Sequence, residues 1–461
     1  MNQRAKFIGI DVGTSGCKGL VLDEKGKILA KAYVEYPLLY KQWGIEQSPL
    51  QLWQAVERII TKLESTTEPD EIKGIGITSQ GITFIPVDGK GKPLSDAISW
   101  LDTRATEELK EILKEFSPEE IFHLTGKRAE AYYVLPKLLW LMKNQPHIYE
   151  KTSKFLLVAD YINLKLTGEI ATDHTLASGT LLHNVRQNKW SNYILEKFAI
   201  NPANLPSLHH AGEVTGYWKR IPVTIAGQDQ KCAAYAVGLR TGKATISLGT
   251  ASAITTLVEK PVLDAMMRIP LFPYIIKNSW VLEGVVSTAG AAYDWAKKTL
   301  KGKLTHQLSA DKIRNLPFFL PHLSGASSPL WREDIRGSFH NISLSTTPEE
   351  MLLCILEGVC FEIRKNIEVI EELVGEIEEI IVFGGGAKNK VWLILLANSL
   401  GRNIIVPRIE ETTAYGAALL AGKAMGVLKE EPLTKVQVIE CKDEMKAILE
   451  ERFQKYLLYQ E

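Results

Sequence analysis

The sequence carries two glycine-threonine turns, one near its start and one just past its middle, each set into an apolar strand. The first reads Phe7-Ile8-Gly9-Ile10-Asp11-Val12-Gly13-Thr14-Ser15-Gly16-Cys17-Lys18 and the second Thr245-Ile246-Ser247-Leu248-Gly249-Thr250-Ala251-Ser252-Ala253. Both apolar runs are followed by a second β-rich run, Gly19-Leu20-Val21-Leu22 and Ile254-Thr255-Thr256-Leu257, so each turn joins two predicted strands. Glycine lets the backbone turn where a Cβ would clash, so consecutive N–H groups can face one anion. The neighbouring hydroxyls add donors. Two such hairpins in the two halves of one chain predict two lobes that grip a polyphosphate.

The rest of the sequence is compatible with that frame. At 461 residues the chain is too long for one core, so two or three domains are expected. Lys+Arg and Asp+Glu balance at 54 each. Nucleic-acid binders usually show a basic face, so neither a nucleic acid nor a membrane is an expected partner, and a small neutral or anionic substrate is the simpler reading. The five cysteines, Cys17, Cys232, Cys354, Cys360 and Cys441, are scattered and contain no CxxC pair. That argues against zinc and disulfide frameworks and fits a reducing compartment. The N-terminus runs into the first strand without the apolar stretch of a signal peptide, and no apolar run approaches the roughly 18 residues that span a bilayer, so a cytoplasmic protein is expected.

The order of signals is strands, helices, strands, helices. Residues 7–35 read as two or three antiparallel strands with a turn at Asp23-Glu24-Lys25-Gly26, and a helix is predicted over about 49–65. Gly74-Ile75-Gly76-Ile77-Thr78 reads as a buried strand that delivers Ser79-Gln80-Gly81 to a loop. Ser117-Pro118-Glu119-Glu120 and Thr347-Pro348-Glu349-Glu350 are capping boxes that open helices. The second helix places Leu352, Leu356, Val359 and Ile363 on one face and should stop at Gly375. Ile380-Ile381-Val382-Phe383 then forms a strand ending in Gly384-Gly385-Gly386, with a helix from about Asn389. The boundary between halves falls near Gly238, giving domains over 1–238 and 239–461. The expected fold class is a duplicated α/β architecture with one interdomain cleft.

Three places carry chemistry. Asp11 ends a strand beside the first turn, and a carboxylate next to a phosphate cradle needs a cation between them. Mg²⁺ suits this, because it keeps several waters of its own. A turn or cap aspartate is the plainer alternative. Lys18 either neutralises a phosphoryl oxygen or is a surface lysine. The Gly384-Gly385-Gly386-Ala387-Lys388-Asn389 run, between strand and helix, could admit a flat ring or ribose against backbone, or could simply be a tight loop. It lacks the GxGxxG spacing of a dinucleotide fold. Asp229, in Ala226-Gly227-Gln228-Asp229-Gln230, could take a proton from a substrate hydroxyl or could cap the next helix.

Taken together these segments resemble the FGGY family of carbohydrate kinases, in the actin–hexokinase–sugar-kinase superfamily, from residue 7 to about 428. The resemblance rests on Asp11-Val12-Gly13-Thr14, Trp100-Leu101-Asp102-Thr103-Arg104, Lys137-Leu138-Leu139-Trp140-Leu141, Gly227-Gln228-Asp229, Ser247-Leu248-Gly249-Thr250, Phe319-Leu320-Pro321-His322-Leu323-Ser324-Gly325, Leu356-Glu357-Gly358-Val359, Gly384-Gly385-Gly386-Ala387 and Ala414-Tyr415-Gly416-Ala417-Ala418, in that order. It implies two ribonuclease H-like domains of the actin/hexokinase ATPase type, ATP and Mg²⁺, and phosphorylation of a sugar or polyol. Asp229 matches the catalytic base. Gly13, Thr14, Ser15 and Lys18 match the first phosphate loop, Gly249 and Thr250 the second, and Gly385, Gly386 and Asn389 the adenosine loop. The Mg²⁺ that the resemblance implies makes Asp11 the candidate outer-sphere or direct ligand. Dimers are common in the family, which leaves a homodimer open although no segment here marks an interface.

Within the family the pattern is most similar to xylulokinases, through Glu46-Gln47-Ser48-Pro49, Lys165-Leu166-Thr167-Gly168-Glu169 and Ala177-Ser178-Gly179-Thr180. The substrate loop departs. Xylulokinases carry Gln-Met-His-Gly and glycerol kinases Gln-Arg-Glu-Thr where this chain has Gln80-Gly81-Ile82-Thr83. Val134 also departs from the small or proline residue usual there. D-xylulose is the leading acceptor and glycerol is disfavoured, with another ketose or polyol open. The expected sugar pocket is Gln80, Gly81, Ile82, Trp100, Asp102, Arg104, Tyr133 and Gln230, although Trp100 could be core and Arg104 could pair with Asp102. A non-catalytic sugar sensor on the same fold is the alternative class, but the basic helix-turn-helix of a sugar-responsive repressor is missing before residue 7.

Overall fold

The structure is a computed structural model, and it describes residues 5–305, 308–428 and 436–460. The elements that position the site, in chain order, are β1 (Lys6–Val12), β2 (Gly16–Asp23), β3 (Ile28–Glu35), α1 (Pro49–Glu64), β4 (Ile72–Ser79), α2 (Val134–Asn144), β5 (Val214–Trp218), β6 (Ile221–Gln228), α3 (Asp229–Ala236), β7 (Lys243–Leu248), β8 (Ser252–Val258), β9 (Trp280–Val286), α4 (Gly290–Leu300), α5 (Pro348–Val374), β10 (Glu379–Phe383), α6 (Lys390–Ser399), β11 (Ile404–Pro407), α7 (Thr412–Ala424) and β12 (Val436–Ile439). They form two compact units, Met1–Ala236 with Leu271–Trp280 and Ile409–Pro432, and Val237–Pro270 with Val281–Arg408 and Leu433–Glu461.

In the first unit the strands run β5-β6-β4-β1-β2-β3, with β6, β4 and β1 parallel and β5, β2 and β3 antiparallel to their neighbours. The strands of the second unit run β12-β11-β10-β7-β8-β9, six of the seven in their sheet. There β11, β10 and β7 are parallel, while β12 and β8 are antiparallel to their neighbours. These two six-strand orders correspond term by term, so the repeat expected from the twin turns extends over those strands.

Strand alternation explains how the first sheet is covered. Ile8, Ile10 and Val12 face α1, whose Leu52, Val56, Ile59 and Leu63 are wholly buried. Phe7, Leu20 and Leu22 face the other way and pack with Ala414, Ala418 and Ala421 of α7. That helix lies directly on backbone. A Cβ on Gly9 would sit 1.9 Å from Ala414 O, and one on Gly76 1.9 Å from Ala417 O. Glycine in these strands is therefore the condition for a small-residue helix to approach.

The local expectations for helices are met. Ser117 and Thr347 both form reciprocal capping boxes, and α5 ends at Gly375. Leu352, Leu356, Val359 and Ile363 are all inaccessible. Asn389 caps α6 by accepting from the N–H groups of Val391 and Trp392.

Candidate active site

The first turn closes when Gly13 N–H donates to Gly16 O at 3.0 Å, and the Tyr36 hydroxyl holds Gly13 O at 2.7 Å. The N–H groups of Thr14 and Ser15 have no acceptor among the described residues, so they can meet an anion. Thr14 is tied on two sides: Gln47 Nε2 donates to its carbonyl at 2.7 Å and Trp100 Nε1 to its hydroxyl at 2.9 Å. Lys18 Nζ lies 2.8 Å from Glu411 Oε2, so its charge is engaged by the residue that precedes α7. No local sequence signal points to Glu411 as its partner.

Asp11 is half-buried, and its Oδ1 is wholly shielded with no hydrogen-bond partner. Its pKa is pushed up to about 8, first by burial and then by the charge of Asp229, against the pull of Lys18. A buried carboxylate oxygen without a partner, close enough to Asp229 to feel its charge, is a donor that suits a hard cation. Among the described residues no three acidic, His or Cys side chains converge into a ready-made metal cage.

Asp229 opens α3, directly after β6. The turn into the helix requires Gly227, at φ +91°, where a Cβ would meet the Thr175 hydroxyl at 2.8 Å. Thr78 donates to Gly227 O at 2.7 Å, and Gln228 N–H donates to Thr175 Oγ1 at 2.8 Å. Thr175 in turn donates to Asp173 Oδ1 at 3.1 Å. Asp173 is buried, and burial raises its pKa to about 6. The Asp229 carboxylate receives two donors on one oxygen: Gln230 N–H at 2.8 Å and the side-chain Nε2 of Gln228 both reach Oδ1. The sequence shows Gln228 only as part of the Gly227-Gln228-Asp229 segment and assigns it no role.

The residues expected to hold sugar divide into two groups. Gln80, Gly81, Ile82 and Trp100 lie together around the loop after β4. Gln80 is buried and donates to Gln47 Oε1 at 2.6 Å, which ties it to Thr14. Ile82 adopts φ +69°, a left-handed conformation that strains a β-branched residue, and Thr83 N–H closes a tight turn on Gly81 O at 2.7 Å. Trp100 is 38% exposed and its N–H donates to Thr83 Oγ1. Asp102 and Arg104 instead form a closed pair. Asp102 accepts from Arg104 Nε at 2.9 Å, Arg104 Nη2 at 2.7 Å and Ile45 N–H at 2.6 Å. Arg104 also reaches Glu46 at 2.9 Å and lies over the Trp140 ring. Their side chains are only 0% and 2% exposed, so they back the hairpin at Gly44–Gln47 from within. Tyr133 is buried as the residue preceding α2 and packs on Tyr132, and Gln230 is half-buried.

In the second unit the turn is one residue shorter. Gly249 N–H donates to Ala251 O at 3.0 Å, and Leu248 pairs with Ser252, where Val12 pairs with Cys17 across four residues. The N-terminus of α4 clamps it: Gly290 donates to Gly249 O, and Ala289 and Ala291 to Thr250 O. The triple glycine follows β10. Gly384 and Gly386 are explained by packing, since a Cβ would fall 2.8 Å from Leu248 O and 2.7 Å from Trp392 respectively. A Cβ on Gly385 would meet nothing within 4 Å, so protein packing does not account for that glycine.

Comparison with known proteins accounts for this arrangement. The family model for the N-terminal domain of FGGY carbohydrate kinases matches residues 6–236, and that for the C-terminal domain matches 244–425. A xylulose kinase from Bacillus subtilis (strain 168) is 29% identical over 440 residues, covering 91% of this chain and 88% of its own. A glycerol kinase from Thermococcus onnurineus (strain NA1) is 33% identical, with 91% and 89% covered. A solved xyloylose kinase from Brucella ovis superimposes with a TM-score of 0.90 at 27% identity, over 98% of each chain. Two duplicated α/β units, paired glycine turns and end-to-end family matches lead to one conclusion: the chain belongs to the FGGY family of carbohydrate kinases and is an ATP-dependent sugar phosphotransferase with two ribonuclease H-like units.

Proposed function

We propose that Asp229 is the general base in transfer of the γ-phosphoryl group of ATP to a small neutral sugar, with D-xylulose giving D-xylulose 5-phosphate as the leading reaction. The supporting observation is the Asp229 carboxylate itself, pinned through Oδ1 by two donors beside Asp11. The acceptor O–H gives its proton to Asp229 while its oxygen bonds to the γ-phosphorus. The bond from phosphorus to the β,γ-bridging oxygen breaks, and its electron pair leaves with ADP. Catalysis in such a loose transition state is mostly positioning and charge stabilisation.

In the first unit the N–H groups of Thr14 and Ser15 meet phosphoryl oxygens. In the second, Gly249 and Thr250 meet phosphate, and Gly385, Gly386 and Asn389 hold the adenosine. Asp11, through its unmet Oδ1, would hold Mg²⁺, which neutralises phosphoryl charge when bound. Lys18, paired with Glu411 at 2.8 Å, stands at the end of the first turn, and its ammonium would neutralise a phosphoryl oxygen.

Glycerol is the second reading. The Thermococcus glycerol kinases match at 33% and 34% identity, above the 29% of the Bacillus subtilis xylulose kinase, so overall likeness does not favour either acceptor. A coupled ADP-release assay over pentuloses, hexuloses and polyols identifies the acceptor. Asp229→Asn should keep ADP binding and lose roughly 100-fold or more of acceptor-dependent turnover, as expected for a lost general base. Near-wild-type turnover by that variant would remove Asp229 from the role.

A further inference from the structure

We infer that Gln228 is a specificity-determining residue: it holds the base with one end of its amide and reads a second substrate hydroxyl, on the carbon next to the phosphorylated one, with the other. The inference rests on the assignment of Asp229 as base. The amide orientation follows from the chemistry of its neighbour. A carboxylate only accepts, so the group facing Asp229 Oδ1 must be Nε2. That leaves Oε1 on the far side of the same planar amide. Gln228 Oε1 is buried and has no hydrogen-bond partner. A buried carbonyl oxygen without a donor is costly unless something supplies one.

The same logic extends to the adjoining loop. Thr14 O is a backbone carbonyl and only accepts, which fixes Gln47 with Nε2 toward it and Oε1 away. Gln47 Oε1 then accepts from Gln80 Nε2, which fixes Gln80 in turn and leaves Gln80 Oε1 as the end of the relay. That oxygen too is buried and unmet. Gln80 precedes Gly81, where a Cβ would stand 3.2 Å from Gln228 Cγ, so the loop and Gln228 are in contact. The two side chains thus present unmet acceptors, one on the residue that holds Asp229 Oδ1 and one in the loop against it.

Acceptor oxygens read hydroxyl hydrogens. They repel a carboxylate and find nothing on a deoxy carbon. The acceptor class is therefore a neutral compound ending in –CHOH–CH₂OH, with its terminal hydroxyl at Asp229 and its neighbour at Gln228 Oε1. A sugar acid with its carboxylate at that neighbouring position is excluded. The reach of a glutamine side chain suits a hydroxyl one carbon away from the attacked oxygen, because Gln228 and Asp229 are adjacent in sequence and joined through Oδ1.

The test compares each acceptor that turns over with its analogue lacking the neighbouring hydroxyl: glycerol against 1,3-propanediol, and D-xylulose against 4-deoxyxylulose. For the wild type, kcat/KM should favour the complete acceptor by roughly 100-fold or more, because a site built to bond a hydroxyl rejects its absence strongly. In Gln228→Met the lost Nε2 lowers kcat for both acceptors, and the lost Oε1 should collapse their ratio to roughly 5-fold or less. Gln228→Asn, which withdraws the amide by one methylene, reads the same ratio should the methionine variant not fold. A wild type that does not discriminate, or a variant that keeps the wild-type ratio, overturns the inference. Wild-type turnover of none of the sugars, or an active Asp229→Asn, overturns the underlying mechanism instead.

Discussion

Gly385 and Gly386 stand side by side in one loop, yet replacing each by alanine should break different properties. Neither needs a left-handed backbone, so alanine is conformationally tolerated at both. At Gly386 the new methyl would lie 2.7 Å from the Trp392 ring and 2.9 Å from Leu248 Cβ. Contacts between carbons settle near 3.5–4.0 Å, so the ring, the strand end or the loop must yield by about 1 Å. Overpacking of this kind costs about 1–3 kcal/mol. At Gly385 the methyl meets nothing within 4 Å, and stability should stay within about 0.5 kcal/mol of wild type. If the adenosine lies against Gly385, however, one added methyl should weaken ADP by about 1–3 kcal/mol, or about tenfold or more in Kd. Urea unfolding reads the first quantity and calorimetric titration with ADP the second. The expected pattern is a crossed one, with Gly386→Ala losing stability and Gly385→Ala losing ADP affinity at unchanged stability. ADP bound by Gly385→Ala as tightly as by wild type would refute the placement of the nucleotide at this loop.

Two further outcomes concern the scaffold. Lys137 is buried with its Nζ donating to Ser99 O at 2.6 Å, and burial lowers its pKa from 10.5 to about 7. The folded state then binds fewer protons than the unfolded chain between those values, so this residue's contribution to stability rises with pH across that window, by up to about 1.4 kcal/mol per unit. Urea unfolding of wild type and Lys137→Met at pH 7.5 and 8.5 should show the difference shift toward wild type by about 1 kcal/mol, and no shift would rule out a neutral buried amine. Gly76→Ala would bring a methyl 1.9 Å from Ala417 O, a backbone atom that cannot rotate away. It should cost about 3 kcal/mol or prevent folding, and a loss below about 1 kcal/mol would contradict the direct seating of α7 on the sheet.

What was legible in the sequence was what a few adjacent residues determine. Alternating apolar residues fixed the β1–β2 and β7–β8 hairpins, and Ser117 and Thr347 with their glutamates marked helix starts. The small residues Ala414, Gly416, Ala417 and Ala418 stood in the sequence only as part of the family resemblance, with no neighbour indicated. The neighbours are Gly9 and Gly76 for Ala414 and Ala417, and Cys232 for Gly416, all far away in sequence. Such a pairing depends on two surfaces meeting, which no window of either one contains. The same reason hid the Lys18–Glu411 pair. Gln228 was hidden differently: its role comes from one amide orientation beside a carboxylate, and the sequence shows only a polar residue at a strand end.

The question of glycerol or xylulose then reduces to a few atoms. Identities of 33% and 29% are averages over 440 positions and do not single out the few that would touch an acceptor. Both acceptors end in –CHOH–CH₂OH, so Asp229 and Gln228 would read that end alike. On the proposed reading, discrimination would come from the remainder of the molecule, where the Gln80-Gly81-Ile82-Thr83 loop is expected to lie. A large side chain at position 81 would displace Gln228, since even a methyl stands 3.2 Å from its Cγ. Ile82 packs against Gly179 and the core, and Asp102 and Arg104 are spent on each other. The loop therefore adds no charged hand to the acceptor's far end. If that loop faces the acceptor's far end, it would select by shape and by the unmet oxygen of Gln80, favouring a neutral far end with one well-placed hydroxyl.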